Sequence, residues 1–163
     1  MPPTTDLAVR QSVTVDVPPE RAFAVFTADL ASWWPLEAYH IGSQPAVAVV
    51  VEPRAGGRWY ERAADGSECD WGRVLACDPP HRIVVSWQIN ANDETWFPDP
   101  DPAHASEIEV TFTGQPDGQT RVEFEHRHFE RHGAGGDGIH AGVSSSGGWA
   151  TILDSYAKVA ATA

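Results

Sequence analysis

Apolar and polar residues alternate along most of this chain, and the period of the alternation changes at definable points. Val13, Val15 and Val17 alternate with Ser12, Thr14 and Asp16, which predicts a half-buried strand over residues 9–17. Pro18-Pro19-Glu20 then opens a helix, since proline is tolerated in a first turn and glutamate favours the N-terminal dipole. Ala22, Phe23, Phe26 and Leu30 recur at helical spacing and carry that helix to about Ala31, where Trp33-Trp34-Pro35 prevents simple continuation. The Val-Ala run from Val47 to Val51 predicts a strand buried on both faces.

From Gly56 to Trp87 the pattern predicts three antiparallel strands, turning at Ala64-Asp65-Gly66 and at Cys77-Asp78-Pro79-Pro80. Here Trp59, Trp71 and Trp87 stand among Glu, Asp and Arg, a mixture suited to a sheet curved around a partly polar cavity. Asn90 to Ala105, with its Asn-Asp and Pro-Asp-Pro sequences, reads as one long irregular loop. Ile108, Val110 and Phe112 alternate with Glu107, Glu109 and Thr111. After Pro116-Asp117-Gly118, Val122, Phe124, His126 and His128 alternate with Arg121, Glu123, Glu125 and Arg127, which completes a hairpin. Gly133 to Gly148 reads as a flexible loop, followed by a helix to about Ala161 with Trp149, Ile152, Leu153, Tyr156 and Val159 on one face. The order is strand, short helix, six strands, long helix. It predicts an α+β architecture, one antiparallel sheet with the C-terminal helix across its concave face.

Several short stretches in this order resemble the START/polyketide-cyclase superfamily, whose Bet v 1-like members share the helix-grip fold. Within it the chain is most similar to the branch of activator of heat-shock protein 90 ATPase homologues. The matching pieces are Pro18-Pro19-Glu20-Arg21-Ala22-Phe23, Glu52-Pro53-Arg54-Ala55-Gly56-Gly57-Arg58-Trp59, Gly72-Arg73-Val74 and Pro79-Pro80-His81-Arg82-Ile83-Val84. Gly118-Gln119-Thr120-Arg121-Val122, Glu125-His126 and Gly148-Trp149 complete them, so the resemblance runs from about Val9 to Ala160. It implies a curved sheet of about seven strands gripping the long C-terminal helix, with a cavity between them. The same scaffold hosts carriers, cyclases, receptors and co-chaperones, so fold alone does not choose a function.

Length and charge narrow the choice. With 163 residues, the chain is expected to form a single domain over 1–163 with its core at about 9–161, burying roughly 70% of its unfolded surface. The net charge of -12, from 23 acidic and 11 basic residues, excludes a phosphate-tracking nucleic-acid binder and an anionic membrane surface. No stretch reaches the ~18 apolar residues of a membrane span, and MPPTTDLAVR lacks the pattern of a signal peptide. Cys69 and Cys77 are expected near opposite ends of one strand, too far apart to bridge. Two free thiols point to a reducing, bacterial-type cytoplasm.

The candidate chemistry centres on the indoles. Trp59, Trp71, Trp87 and Trp149 fall on elements expected to line the cavity, either as plain core or as stacking surfaces for a ring-containing or acyl ligand. Glu61 shares the strand phase of Trp59, whereas Arg58, Tyr60 and Arg62 occupy the other phase. If the first phase faces inward, Glu61 is a buried carboxyl group; if the second does, the cavity is lined by arginine. Trp33-Trp34-Pro35 with His40 forms either a hydrophobic plug or a lid that touches ligand. His126 and His128 on one strand face, with His132 or His140, have the composition of a zinc site, but no cysteine or carboxylate sits at a suitable spacing and no metal or cofactor is expected. His126 is the best single acid/base candidate. Cys69, flanked by Glu68 and Asp70, is set against thiolate formation and is no nucleophile. Ser144-Ser145-Ser146 reads as a helix cap rather than an anion site.

These residues predict a protein that binds a small apolar or aromatic molecule, with contacts from Trp34, Trp59, Glu61, Trp71, Trp87, His126, Trp149, Ile152 and Tyr156. The alternative is a cyclase- or hydrolase-like enzyme using His126 and Glu61. A third reading, implied by the branch name, is a module that regulates a chaperone partner. A homodimer is compatible with all three.

Overall fold

The structure, a computed structural model, describes residues 8–34, 46–92, 95–145 and 148–161. Pro35 and His40, named above beside the tryptophan pair, and Ser146 of the serine run lie outside the described residues. Among the described residues nine strands occur: β1 (Val9–Val15), β2 (Ala46–Val51), β3 (Arg58–Ala63), β4 (Glu68–Asp78), β5 (Arg82–Trp87), β6 (Ile89–Ala91), β7 (Trp96–Pro98), β8 (Ser106–Gly114) and β9 (Thr120–Arg127). The helices are α1 (Pro19–Thr27), α2 (Leu30–Trp33), α3 (Gly136–Ser144) and α4 (Trp149–Ala161). Seven strands form one sheet in the order β1-β9-β8-β5-β4-β3-β2, antiparallel throughout. This is the helix-grip arrangement that the sequence predicts, with its six sheet strands after the first helix.

The concave face of the sheet holds the core. Along β8 and β9 the inward phase places Ile108 opposite His126, Val110 opposite Phe124 and Phe112 opposite Val122. α4 closes over this face with Trp149, Ile152, Leu153, Tyr156 and Ala160. Each large side chain so buried stabilises the fold by about 1.5–3 kcal/mol. Three hydrogen bonds fix the layer: the Tyr156 hydroxyl donates to the Ala22 carbonyl at 2.8 Å and the Trp33 indole to Val25 O at 2.8 Å, both buried, and the half-buried Ser155 hydroxyl to Trp33 O at 2.8 Å. On the convex face Arg127 is paired with Glu107, Glu109 and Glu125, and Arg82 meets Glu109.

β4 and β5 approach so closely that a Cβ at Gly72 would lie 1.8 Å from the Ser86 carbonyl oxygen. Only glycine allows that contact. A register shift between Trp59 and Tyr60 where β3 meets β4 adds curvature.

The strand-phase question has a definite answer. Trp59 lines the concave side with Trp149 and Leu153 of α4, and Glu61, 2% exposed, accepts from Trp71 on the same side. Tyr60 belongs to the convex face, where it is covered by the Arg58 guanidinium 4.0 Å above its ring. The cavity is not lined by arginine.

Five expectations need correction. The first helix does not run unbroken to Ala31; it splits into α1 and α2, and the Thr27 hydroxyl bonds back to the Phe23 carbonyl at 2.8 Å near the break. β2 is not buried on both faces, because it is an edge strand and leaves Val47 58% exposed. Asn90–Ala105 is not wholly irregular: β6 and β7 pair there as a short ribbon, followed by a 3₁₀ turn at Pro102–His104. The glycine-rich segment Gly133–Gly148 is not merely a loop, since it takes in the end of a 3₁₀ turn (Phe129–Gly135) and α3, whose Ile139 and Val143 are buried one helical turn apart. Finally, β9 ends at Arg127 and His128 adopts a left-handed φ of 68° with its side chain exposed, so it does not share the inward face of His126. Among the described residues no helix is long and apolar enough to cross a membrane.

Candidate functional site

Five indoles, four from β3, β4, β5 and α4 and one from the residue that follows α2, close into a ring on the concave face. Ring centroids lie 5.0 Å apart for Trp34–Trp71, 5.5 Å for Trp71–Trp59, 5.8 Å for Trp59–Trp87, 5.4 Å for Trp87–Trp149 and 5.8 Å for Trp149–Trp34. The contacts are tilted or edge-to-face, the arrangement that aromatic quadrupoles favour. A cavity of about 40 Å³ adjoins this ring, lined by Trp33, Trp34, Trp59 and Trp149 together with Phe26, Phe124 and aliphatic residues of the sheet and α4. That volume accommodates a few waters at most, against the ~300–1,000 Å³ of a small-molecule site. Admission of a ring-sized ligand therefore requires indole side chains to move.

The polar groups stand one layer behind the rings. Trp71 donates its indole N–H to Glu61 Oε1 at 2.8 Å, and Trp149 donates to His126 Nδ1 at 3.0 Å. The indole nitrogens of Trp59 and Trp87 are buried and have no hydrogen-bond partner among the described residues. A ring built only to fill a core would pair these donors, because buried N–H groups without acceptors are costly.

His126 is fully buried, and burial holds its pKa well below the usual histidine range, with His132 and His140 acting in the same sense. Its Nε2 lies 2.7 Å from Ser106 Oγ, which lies 2.7 Å from His132 Nε2. Burial pushes the His132 pKa down to about 4. Both imidazoles are neutral at neutral pH. Asn90 joins this cluster to the surface, donating to the His132 carbonyl at 3.1 Å and to Asp99 Oδ2 at 3.2 Å, while Asp99 meets the exposed His104.

Of the residues singled out from sequence, Trp34, Trp59 and Trp149 line the cavity. Trp71, Trp87, Glu61 and His126 stand behind or beside them on the same face. Ile152 and Tyr156 are buried on α4, but Tyr156 packs on Phe26 and Trp33, and burial raises its pKa above the usual tyrosine range. Glu61 and His126 are separated by four strand steps, roughly 19 Å along the sheet. Cys69 is half-buried, and burial pushes its thiol up to about 11, with Glu61 and Asp70 adding to the effect. Among the described residues no cluster of His, Cys, Asp and Glu could hold a metal ion. Ser106 is not among the residues that the sequence singles out, and His132 is there only as a third zinc nitrogen. The available signal was phase, since Ser106 stands two residues before Ile108 on the inward side of β8.

A family model described as activator of Hsp90 ATPase homolog 1-like protein matches residues 16–161. Among solved structures, the anthrahydroquino-gamma-pyrone synthase Txn09, in complex with a compound abbreviated SUM, is 40% identical. The match covers 93% of this chain and 96% of Txn09, with a TM-score of 0.65. The self-sacrificing resistance protein CalC from Micromonospora echinospora is 31% identical over 95% of this chain and 94% of its own, with a TM-score of 0.66. Protein Ms6760 from Mycobacterium smegmatis, 20% identical over 94% of this chain and 90% of its own, shares the fold with a TM-score of 0.62. No curated protein matches the chain significantly.

Proposed function

Because this chain belongs to the activator of Hsp90 ATPase homolog 1-like family and has a polyketide-cyclase-like fold, we propose that it binds a flat, oxygen-bearing polycyclic aromatic molecule between the sheet and α4. One observation carries the reading: the closed ring of five indoles, two of whose buried N–H groups lack an acceptor. Indole faces offer stacking area to fused rings, and the Trp59 and Trp87 N–H groups suit carbonyl or phenol oxygens at their edge. Residues proposed to contact the ligand are Trp34, Trp59, Trp87 and Trp149, with Trp71, Glu61 and His126 behind them and Ile152 and Tyr156 fixing α4. The identity with Txn09, whose name specifies an anthrahydroquinone-derived product, supports the chemical class.

The test is titration of the protein with 2-hydroxyanthraquinone, followed by quenching of tryptophan fluorescence and by calorimetry, with a long-chain fatty acid as comparator. Saturable binding of the anthraquinone, weakened at least tenfold in W59F/W87F, is expected. Absence of heat and quenching with the anthraquinone would remove this reading.

A second reading, ring closure catalysed on such a molecule, is favoured by His126. A neutral imidazole beside an aromatic chamber can accept a proton from a phenol or an activated carbon. The distance between strands β9 and β3 makes His126 and Glu61 separate agents on a long substrate rather than one hydrogen-bonded pair. Turnover of a linear aromatic precursor to a cyclised product, abolished in H126F at saturating substrate rather than only weakened in affinity, would establish it. Binding without turnover would leave the first reading alone.

A further inference from the structure

The chain of hydrogen bonds behind Trp149 has a direction that geometry fixes. An indole nitrogen only donates, so His126 Nδ1, 3.0 Å from Trp149 Nε1, carries a lone pair. The proton of the neutral ring is then on Nε2 and points to Ser106 Oγ at 2.7 Å. The Ser106 hydroxyl has its own proton left for His132 Nε2, also at 2.7 Å. That bond places the His132 proton on Nδ1, which is buried and has no partner. Three consecutive elements (the start of β8, the end of β9 and the turn at residues 129–135) converge to build this line. Packing alone gives no reason for it, since it buries a hydroxyl at Ser106 and leaves one imidazole nitrogen unpaired.

We propose that Ser106 and His132 lock His126 in the Nε2–H tautomer, so that Nδ1 is a fixed acceptor for a phenolic hydroxyl of the ligand, in the position Trp149 occupies here. This deepens the binding reading above and rests on it. The roughly 40 Å³ cavity cannot take a fused-ring molecule without displacement of wall side chains, and Trp149 is one of the wall residues. Its departure leaves a buried acceptor at His126. A phenol supplies the missing donor, whereas an ether of the same skeleton leaves that lone pair unpaired. A site built to hydrogen-bond a hydroxyl discriminates strongly against an analogue that lacks it. The neutral state of both imidazoles, which burial enforces, keeps the acceptor available at neutral pH. Ser106 and His132 act through His126 and are positioning residues.

Two measurements on the full chain test this. Nitrogen-detected imidazole spectra report the His126 tautomer directly, and affinities for 2-hydroxyanthraquinone and 2-methoxyanthraquinone report the discrimination. The expected result is an Nε2–H tautomer in the wild type and at least tenfold tighter binding of the phenol. In ligand-bound S106A, where Trp149 no longer donates to Nδ1, the tautomers mix and the two affinities converge to within about threefold, because an Nδ1–H form can donate to the ether oxygen; tenfold is 1.4 kcal/mol in binding. S106T, which keeps the hydroxyl, restores the preference. H132F frees the Ser106 proton to turn toward His126 and serves as the second disruption if S106A does not fold. An Nδ1–H or charged His126 in the wild type would overturn the proposal. Equal affinity for the two probes would overturn it while leaving the binding reading intact. If neither probe binds, both fall together.

Discussion

Acidification should weaken this fold in a window set by its buried histidines. His132 has a folded pKa of about 4 against an ordinary value of 6.5, because burial penalises its charged form. His126 is shifted in the same direction by complete burial. Between these limits the unfolded chain binds protons that the folded chain refuses, so stability rises with pH and falls as pH drops below about 6.5. For His132 alone the loss is roughly 2 kcal/mol by pH ~5, and about 3 kcal/mol once both states are protonated. His126 adds to it. Against a typical total of about 5–15 kcal/mol, that is a substantial fraction. The carboxylates with lowered pKa values, among them Glu107 and Glu109 beside their arginines, act in a lower window: their contribution is lost only as pH falls below the ordinary carboxylate range. Urea denaturation at intervals from about pH 7.5 to pH 4.5 separates the two. The expected curve falls steadily from about pH 6.5, and H132F flattens it by roughly 2 kcal/mol at pH ~5. An unfolding free energy that is level between pH 7.5 and 5, or that rises on acidification, would refute the assignment of these imidazoles as buried and neutral.

Other outcomes follow from single contacts. E61A leaves the buried Trp71 N–H without its 2.8 Å acceptor and should cost about 1–3 kcal/mol in chemical denaturation; a smaller cost would mean that the carboxyl group does not hold the ring. G72A forces a Cβ to within 1.8 Å of the Ser86 carbonyl, so β4 and β5 must separate, and a loss above about 3 kcal/mol or insoluble expression is expected. Soluble G72A with an unchanged melting temperature would contradict the close approach. Cys69, with its thiol pushed up to about 11, should react with iodoacetamide at pH ~8 at least tenfold more slowly than in the urea-unfolded chain. Equal rates would show an open thiol.

How much of this was legible in the sequence depended on whether a pattern or a partner carried the information. The β8–β9 hairpin and α4 were legible because Ile108, Val110 and Phe112, and then Trp149, Ile152 and Tyr156, each bury one face of a regular element. The inward phase of Trp59 and Glu61 was visible as one of two alternatives, and the fold decided it. The β6–β7 ribbon and α3 escaped because glycine and proline read locally as loop, whereas here they serve contact: a Cβ at Gly142 would lie 2.5 Å from the Trp96 ring. The edge position of β2 is a property of strand order, which local hydrophobicity does not encode. The His126–Ser106–His132 line joins residues 20 and 26 positions apart, so nothing in either neighbourhood announces it. Tryptophan content pointed to an aromatic chamber, but the closure of the ring needed Trp34, which follows the end of α2.

A wall made of a few large plates changes capacity in coarse steps. Exchanging one indole of the ring for a smaller side chain would remove more volume than the present cavity of about 40 Å³ contains, while the glycine-tight sheet beneath it holds its backbone. Relatives sharing this scaffold can therefore diverge abruptly in what they accommodate, by one substitution rather than by gradual remodelling. The rings tethered to Glu61 and His126 are the exceptions, because replacing either also exposes an acceptor that a new occupant must satisfy. Specificity in this lineage is then expected to drift first at Trp59 and Trp87, and last at Trp71 and Trp149.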